Sequence, residues 1–157
     1  MGDLSRNFSH FEFDCPCKSP TCKNQFVVDQ RLIKILQAIA DVVGPVRVTS
    51  GHRCLEHNLK VPGAAKRSWH LLRDRKLHAA DVTRLDPRSR GYDDAITMYL
   101  IADHQDAGGI GLYGGGRIHV DTRPLATVGP PRFKHCDRAR WTHPGFEHWS
   151  NKSKTES

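Results

Sequence analysis

Apolar residues in DQRLIKILQAIADVVG recur every three or four positions, at Leu32, Ile35, Leu36, Ile39, Val42 and Val43. This spacing predicts an amphipathic helix over 29–43, with Asp29 as N-cap, Gly44 as its stop and Pro45 barring continuation. VRVTS at 46–50 alternates instead and is rich in β-branched residues, which predicts a short strand. The polar stretch from His52 to Ser68 reads as a loop or a short helical turn. LHAADVT at 77–83 returns to strand character. A second helix is expected over 93–104, capped by Asp93 or Asp94, with Ile96, Tyr99, Leu100 and Ala102 on its apolar side. In GGIGLYGGGRIHVDTR two alternating runs flank a triple glycine, the signature of a β-hairpin. Residues 1–27 look irregular, with FSHFEF supplying apolar anchors, and Trp141 is expected to pack on the core ahead of a frayed polar tail.

Composition narrows the class. A chain of 157 residues, 38% hydrophobic and 26% charged, is sized for one globular domain, here 1–157 with its core over about 9–141. No apolar run approaches the roughly 20 residues that span a bilayer. The opening MGDLSRNFSHFEF lacks the unbroken apolar stretch of a secretory signal, so synthesis in a cytoplasm is expected. The net charge of +7 suits a polyanionic partner, either nucleic acid or an anionic cell wall. The basic residues are interspersed with acids and form no single stripe, which weighs against nucleic acid.

Five cysteines, an odd number, argue for reduced thiols over a disulfide scaffold. Cys15, Cys17 and Cys22 crowd into DCPCKSPTC and would form a structural metal site given a fourth ligand, for which His10 and Cys136 are candidates. The alternative is a reduced cluster that merely packs a loop. Elsewhere His70, Asp81 and His119 fall at or near predicted strands. Two imidazoles and a carboxylate leave a fourth zinc position open to water, the arrangement of a catalytic site.

The segments VTSGHRCLEHN, GAAKRSWH, AADV and GGIGLYGGGRIHVDTR, in this order, resemble the zinc D-alanyl-D-alanine carboxypeptidases, a family of peptidoglycan peptidases that includes phage lysis enzymes. That family's pattern is S-x-H-x-x-G-x-A-x-D followed much later by H-x-D. The resemblance implies an α+β fold of the hedgehog/DD-peptidase type, a small, mainly antiparallel sheet with packed helices. It also implies Zn2+ held by His70, Asp81 and His119, with a metal-activated water cutting D-amino-acid amides of peptidoglycan stem peptides or cross-bridges. Arg53, in SGHR, would engage the substrate's carboxylate or scissile carbonyl, as a guanidinium fork suits either. His57 and Asn58 match the family's H-N, placing His57 near substrate or in support of the active-site loop. The enzyme would act as a monomer and reach the wall through a holin, a virion or cell lysis.

Two departures qualify the match. His70 and Asp81 are separated by 81 − 70 = 11 positions where the pattern has seven, because LLRDRK lengthens the connection and Leu77 replaces a glycine. This opens His78 as a rival ligand. No acid or histidine stands just before His119, so Asp121 is the candidate to orient or deprotonate the zinc water, or else to partner a ligand histidine; pairing with Arg117 or Arg123 is its structural alternative. Two other functions stay open: a non-catalytic zinc-containing module that binds wall or serves a virion, as in hedgehog-type domains, and a basic zinc-containing nucleic-acid-binding protein.

Overall fold

A computed structural model describes residues 2–124, apart from 18, 20, 21, 23, 87, 89 and 90, together with 139–142. The expectations for Cys136 and for the polar tail lie outside these residues. A 3-10 turn (His10–Phe13) precedes β1 (Val27–Val28), α1 (Gln30–Val43), β2 (Val46–Ser50), α2 (Leu55–Lys60), β3 (Lys76–Leu77), β4 (Ala79–Arg84), α3 (Tyr92–His104), β5 (Gly109–Tyr113), β6 (Arg117–Asp121) and β7 (Ala139–Thr142). Five strands form one sheet in the order β2-β4-β6-β5-β7, antiparallel except for the parallel β5/β7 pair. β1 and β3 form a separate parallel pair. The α+β architecture is thus as expected.

α1 begins where its cap predicts, with the Asp29 carboxylate accepting from Arg31 N at 2.9 Å. Leu32, Ile33, Ile35, Leu36, Ile39, Ala40 and Val43 are buried, whereas Val42, assigned to that stripe from its spacing, is 67% exposed. α3 buries a different set of side chains from the one its spacing predicted. Its buried residues are Ala95, Met98 and Ala102, with Leu100 left exposed. Two alanines and an unbranched methionine let the helix lie close to α1, β5 and β6, a contact that larger side chains would prevent. The cap also differs, for Asp94 accepts from the amide of Gly91, one turn earlier.

Alternation along the central strands divides the sheet into two faces. Ala80 and Val82 on β4, Ile118 and Val120 on β6, and Ile110 and Leu112 on β5 enter the core shared with α1 and α3. The intervening residues, Asp81, His119, Asp121, Gly109 and Gly111, occupy the opposite face. Polar chemistry is thereby segregated from the core by strand period alone.

Two of the three phenylalanines of FSHFEF anchor the N-terminal segment, as expected. Phe8 and Phe13 are fully buried, whereas Phe11 is 73% exposed. Phe13 O accepts from His52 N at 2.7 Å, which ties this segment to the loop after β2. The single strand predicted over 77–83 is divided at His78 into β3 and β4.

Candidate active site

Two of the three candidate ligands are brought together by sheet register. β4 and β6 pair with Asp81 directly opposite His119, so their side chains rise side by side from one face. His70 comes from a turn and not from a strand as its sequence suggested. It is anchored twice to the loop following β2: His70 O accepts from Arg53 N at 2.9 Å, and His70 Nδ1 donates to Gly51 O at 2.7 Å. LLRDRK is absorbed by a tight turn in which Arg73 and Lys76 exchange backbone hydrogen bonds and Asp74 and Arg75 adopt positive φ. Both ends of the longer connection therefore stay in place.

His70 Nε2, His119 Nδ1 and Asp81 Oδ1 form a triangle with sides of 3.1, 2.8 and 3.3 Å. The donor chemistry of this triangle fits a metal ion. Gly51 O can only accept, so His70 carries its proton on Nδ1 and presents a lone pair at Nε2. Asp121 likewise accepts from His119 Nε2 at 3.1 Å, which turns the Nδ1 lone pair toward Asp81. Three electron-pair donors converge, and a single proton satisfies only one edge of the triangle. Ligands bound at 2.0–2.1 Å in a tetrahedron lie about 3.3 Å apart, close to the spacing found here.

The electrostatics differ among the three groups. Burial opposes ionisation of Asp81, yet the two imidazoles outweigh it and hold the carboxyl well below its usual range. Burial also disfavours charge on His119, but hydrogen bonds to Asp121 and Asp81 reverse this and raise its pKa, so a proton competes with an ion for Nδ1. For His70, burial prevails and favours the neutral, ligating form.

These residues lie at the floor of a cleft of about 590 Å³. Arg53, Arg67, Arg117 and Arg123 all line it, and Asp81 is its sole carboxylate among the described residues. A bulge between Val48 and Ser50 sets Ser50 opposite Asp81. Arg53 donates from Nε to Ser50 Oγ and from Nη2 to Asp81 Oδ2, each at 2.9 Å. It therefore reaches the cluster as well as the cleft. His57 lines the cleft from α2, and the buried Asn58 donates to Ala65 O at 3.0 Å, bracing the loop that forms the rim.

Asp121 is fully buried behind His119, paired with the Arg123 guanidinium, and does not line the cleft. Burial would raise its pKa, but the bonds from His119 and Arg123 keep it ionised. Of the roles the sequence left open, this position suits orienting His119 while paired with Arg123; it has no access from which to deprotonate a water. His78 is held elsewhere, with Nδ1 2.8 Å from Asp29 Oδ2 and 3.1 Å from Thr122 Oγ1, and so is not a rival ligand. His10 likewise does not complete the cysteine cluster, because its Nε2 bonds to Phe26 O at 2.8 Å. Cys54 occupies that position instead.

Sequence reasoning missed the aromatic walls. Trp141 lies in the cleft with its ring centroid 5.1 Å from that of His119, instead of in the core. Register pairs it with Gly111, where a Cβ would come within 2.5 Å of the indole. Gly111 thus admits Trp141 to the site face. Trp69 forms another wall under Arg73, whose guanidinium carbon lies 4.0 Å from the ring centroid. Alternate glycines in GGIGLY were the available signal that something large crosses β5.

Neither the curated proteins nor the solved structures include a significant match to this chain. The family model described as Peptidase M15 matches residues 6–121, a span that contains Arg53, His70, Asp81 and His119, and the chain belongs to that family.

Proposed function

We propose that this metallopeptidase uses Zn2+ at His70, Asp81 and His119 to hydrolyse D-amino-acid-containing amide bonds in peptidoglycan stem peptides or cross-bridges, as a DD-carboxypeptidase or endopeptidase. The observation that supports it most directly is the triangle of three inward lone pairs at the floor of an arginine-lined cleft. Two imidazoles and one carboxylate suit zinc and leave a coordination position for solvent or substrate. When bound there, the ion would lower the pKa of a water and polarise the scissile carbonyl.

The chain's own side chains have distinct parts in this reading. Asp121, held by Arg123, fixes the His119 tautomer so that Nδ1 stays available. Arg53 steadies the second oxygen of Asp81 and, from the cleft wall, faces developing negative charge on the substrate. Burial holds the Tyr113 phenol above its ordinary pKa, so it stays protonated and can donate a hydrogen bond. Four arginines around one carboxylate favour substrates that bring carboxylates of their own, as stem peptides do at their C-termini.

Digestion of purified peptidoglycan followed by mass spectrometry tests this reading. Release of D-alanine would identify a carboxypeptidase, and cleavage of cross-linked dimers an endopeptidase. Either activity should vanish on chelation and return with Zn2+. Wall hydrolysis that persists in metal-free protein would refute it.

A further inference from the structure

The second group of donors lies outside the cleft chemistry. Cys15, Cys17 and Cys22 come from the loop between the 3-10 turn and β1, and Cys54 stands at the N-cap of α2. Their four sulfurs all lie within 4.8 Å of one another, and all four are free thiols. Cys17 Sγ is 3.4 Å from Cys54 Sγ, too far for a disulfide. Zn–S bonds of 2.3 Å in a tetrahedron separate the sulfurs by about 3.8 Å, a spacing this cluster brackets.

A second feature points to thiolates. Two backbone amides are aimed at the sulfurs, Cys54 N at Cys15 Sγ and His57 N at Cys54 Sγ, both at 3.4 Å. A thiol sulfur is a weak acceptor, whereas a thiolate is a good one, so this arrangement suits deprotonated ligands. Four thiolates packed together repel one another unless a cation lies between them. Soft sulfur donors select Zn2+ over Mg2+ or Ca2+.

We propose that Cys15, Cys17, Cys22 and Cys54 hold a structural Zn2+ separate from the cleft. The ion fastens the N-terminal loop to the turn that bears Arg53. Cys54 follows Arg53 directly, its sulfur caps the helix carrying His57, and Pro16, between two of the ligands, lines the cleft. The backbone bond from His52 N to Phe13 O ties the same two segments from the other side. The closed four-thiolate shell leaves no position for substrate, so the ion sets the shape of the rim and takes no part in the reaction.

The test uses the full chain carrying His119→Ala, which disables the cleft cluster, prepared with Zn2+ and separately with Co2+. Metal analysis should give two ions per wild-type chain and one per His119→Ala chain. The cobalt form of His119→Ala should show an intense thiolate-to-metal charge-transfer band, lost when Cys54→Ser is added. If Cys54→Ser fails to fold, Cys22→Ser replaces it, and the spectrum of His119→Ala alone still decides. A metal-free His119→Ala protein without the band, or one four hydrogens lighter through two disulfides, would overturn the proposal. The outcome is independent of the cleft: chelator-resistant wall hydrolysis beside an intact thiolate band would refute the peptidase mechanism and leave this site standing.

Discussion

The two donor clusters reach convergence by opposite routes. In the cleft, Asp81 and His119 are neighbours because β4 and β6 are hydrogen-bonded in a single register, and His70 is pinned by two further backbone contacts. That scaffold is built from strand pairing and hydrogen bonds to the backbone. The thiols instead come from a loop between the 3-10 turn and β1 and from one helix cap, segments that no strand pairing joins among the described residues. Where the backbone already holds the donors, an ion adds chemistry; where it does not, an ion adds structure. Loss of metal should therefore abolish activity at the first cluster and loosen the fold at the second.

The most severe test is His119→Ala. Wall hydrolysis should fall to background, a greater loss than for any variant outside the cluster, while the thermal transition stays cooperative. Collapse of the fold in this variant would break the contrast. Asp121→Asn should come next, lowering metal affinity and activity by about 10–100-fold, since the ligand keeps its place but loses its orienting carboxylate. Competition with a chromophoric chelator measures the first and peptide release the second.

Cys22→Ser should reverse the order of effects. Its urea midpoint should drop further than that of His119→Ala, while its activity under native conditions falls less than that of Asp121→Asn. Gly111→Ala tests the aromatic wall. A methyl group there collides with Trp141, so the variant should lose about 1–3 kcal/mol of stability and show a raised KM with metal content unchanged. The smallest effect should come from Asp29→Ala, which belongs to neither cluster. Burial works against the Asp29 carboxylate, but bonds from Thr122, Arg31 N and His78 outweigh it and hold the carboxyl below its ordinary 3.8. The cap should contribute about 1 kcal/mol above that pH. Because the folded-state pKa is the lower one, wild type and variant should converge as pH falls through it, which paired urea titrations would detect.

Much of this was legible from local order. The 3.6-residue period of α1 and its Asp29 cap, the alternation in VRVTS and the triple-glycine hairpin all express constraints acting within a few residues. The spacing of His70, Asp81 and His119 was interpretable only through resemblance, since no local rule relates residues 38 or 49 positions apart. Val42 and Leu100 were misassigned because helical period identifies a stripe but not how far its neighbours cover it. Cys54 was overlooked for a similar reason. It belongs to a motif already given another meaning, and a fourth thiol was sought without knowing which loops meet.

Chain order and side-chain chemistry alone established that one helix would be amphipathic, that certain strands would have one polar face, and that histidines, a carboxylate and thiols were available as donors. Tertiary structure decided which donors meet. Register placed Asp81 beside His119, a turn delivered His70, the contact between the N-terminal segment and the SGHRC loop completed the thiol cluster, and the parallel entry of β7 set Trp141 over Gly111. The division follows from range: periodicity and capping depend on near neighbours, whereas a coordination site is a condition on distances between residues that only the closed chain brings together.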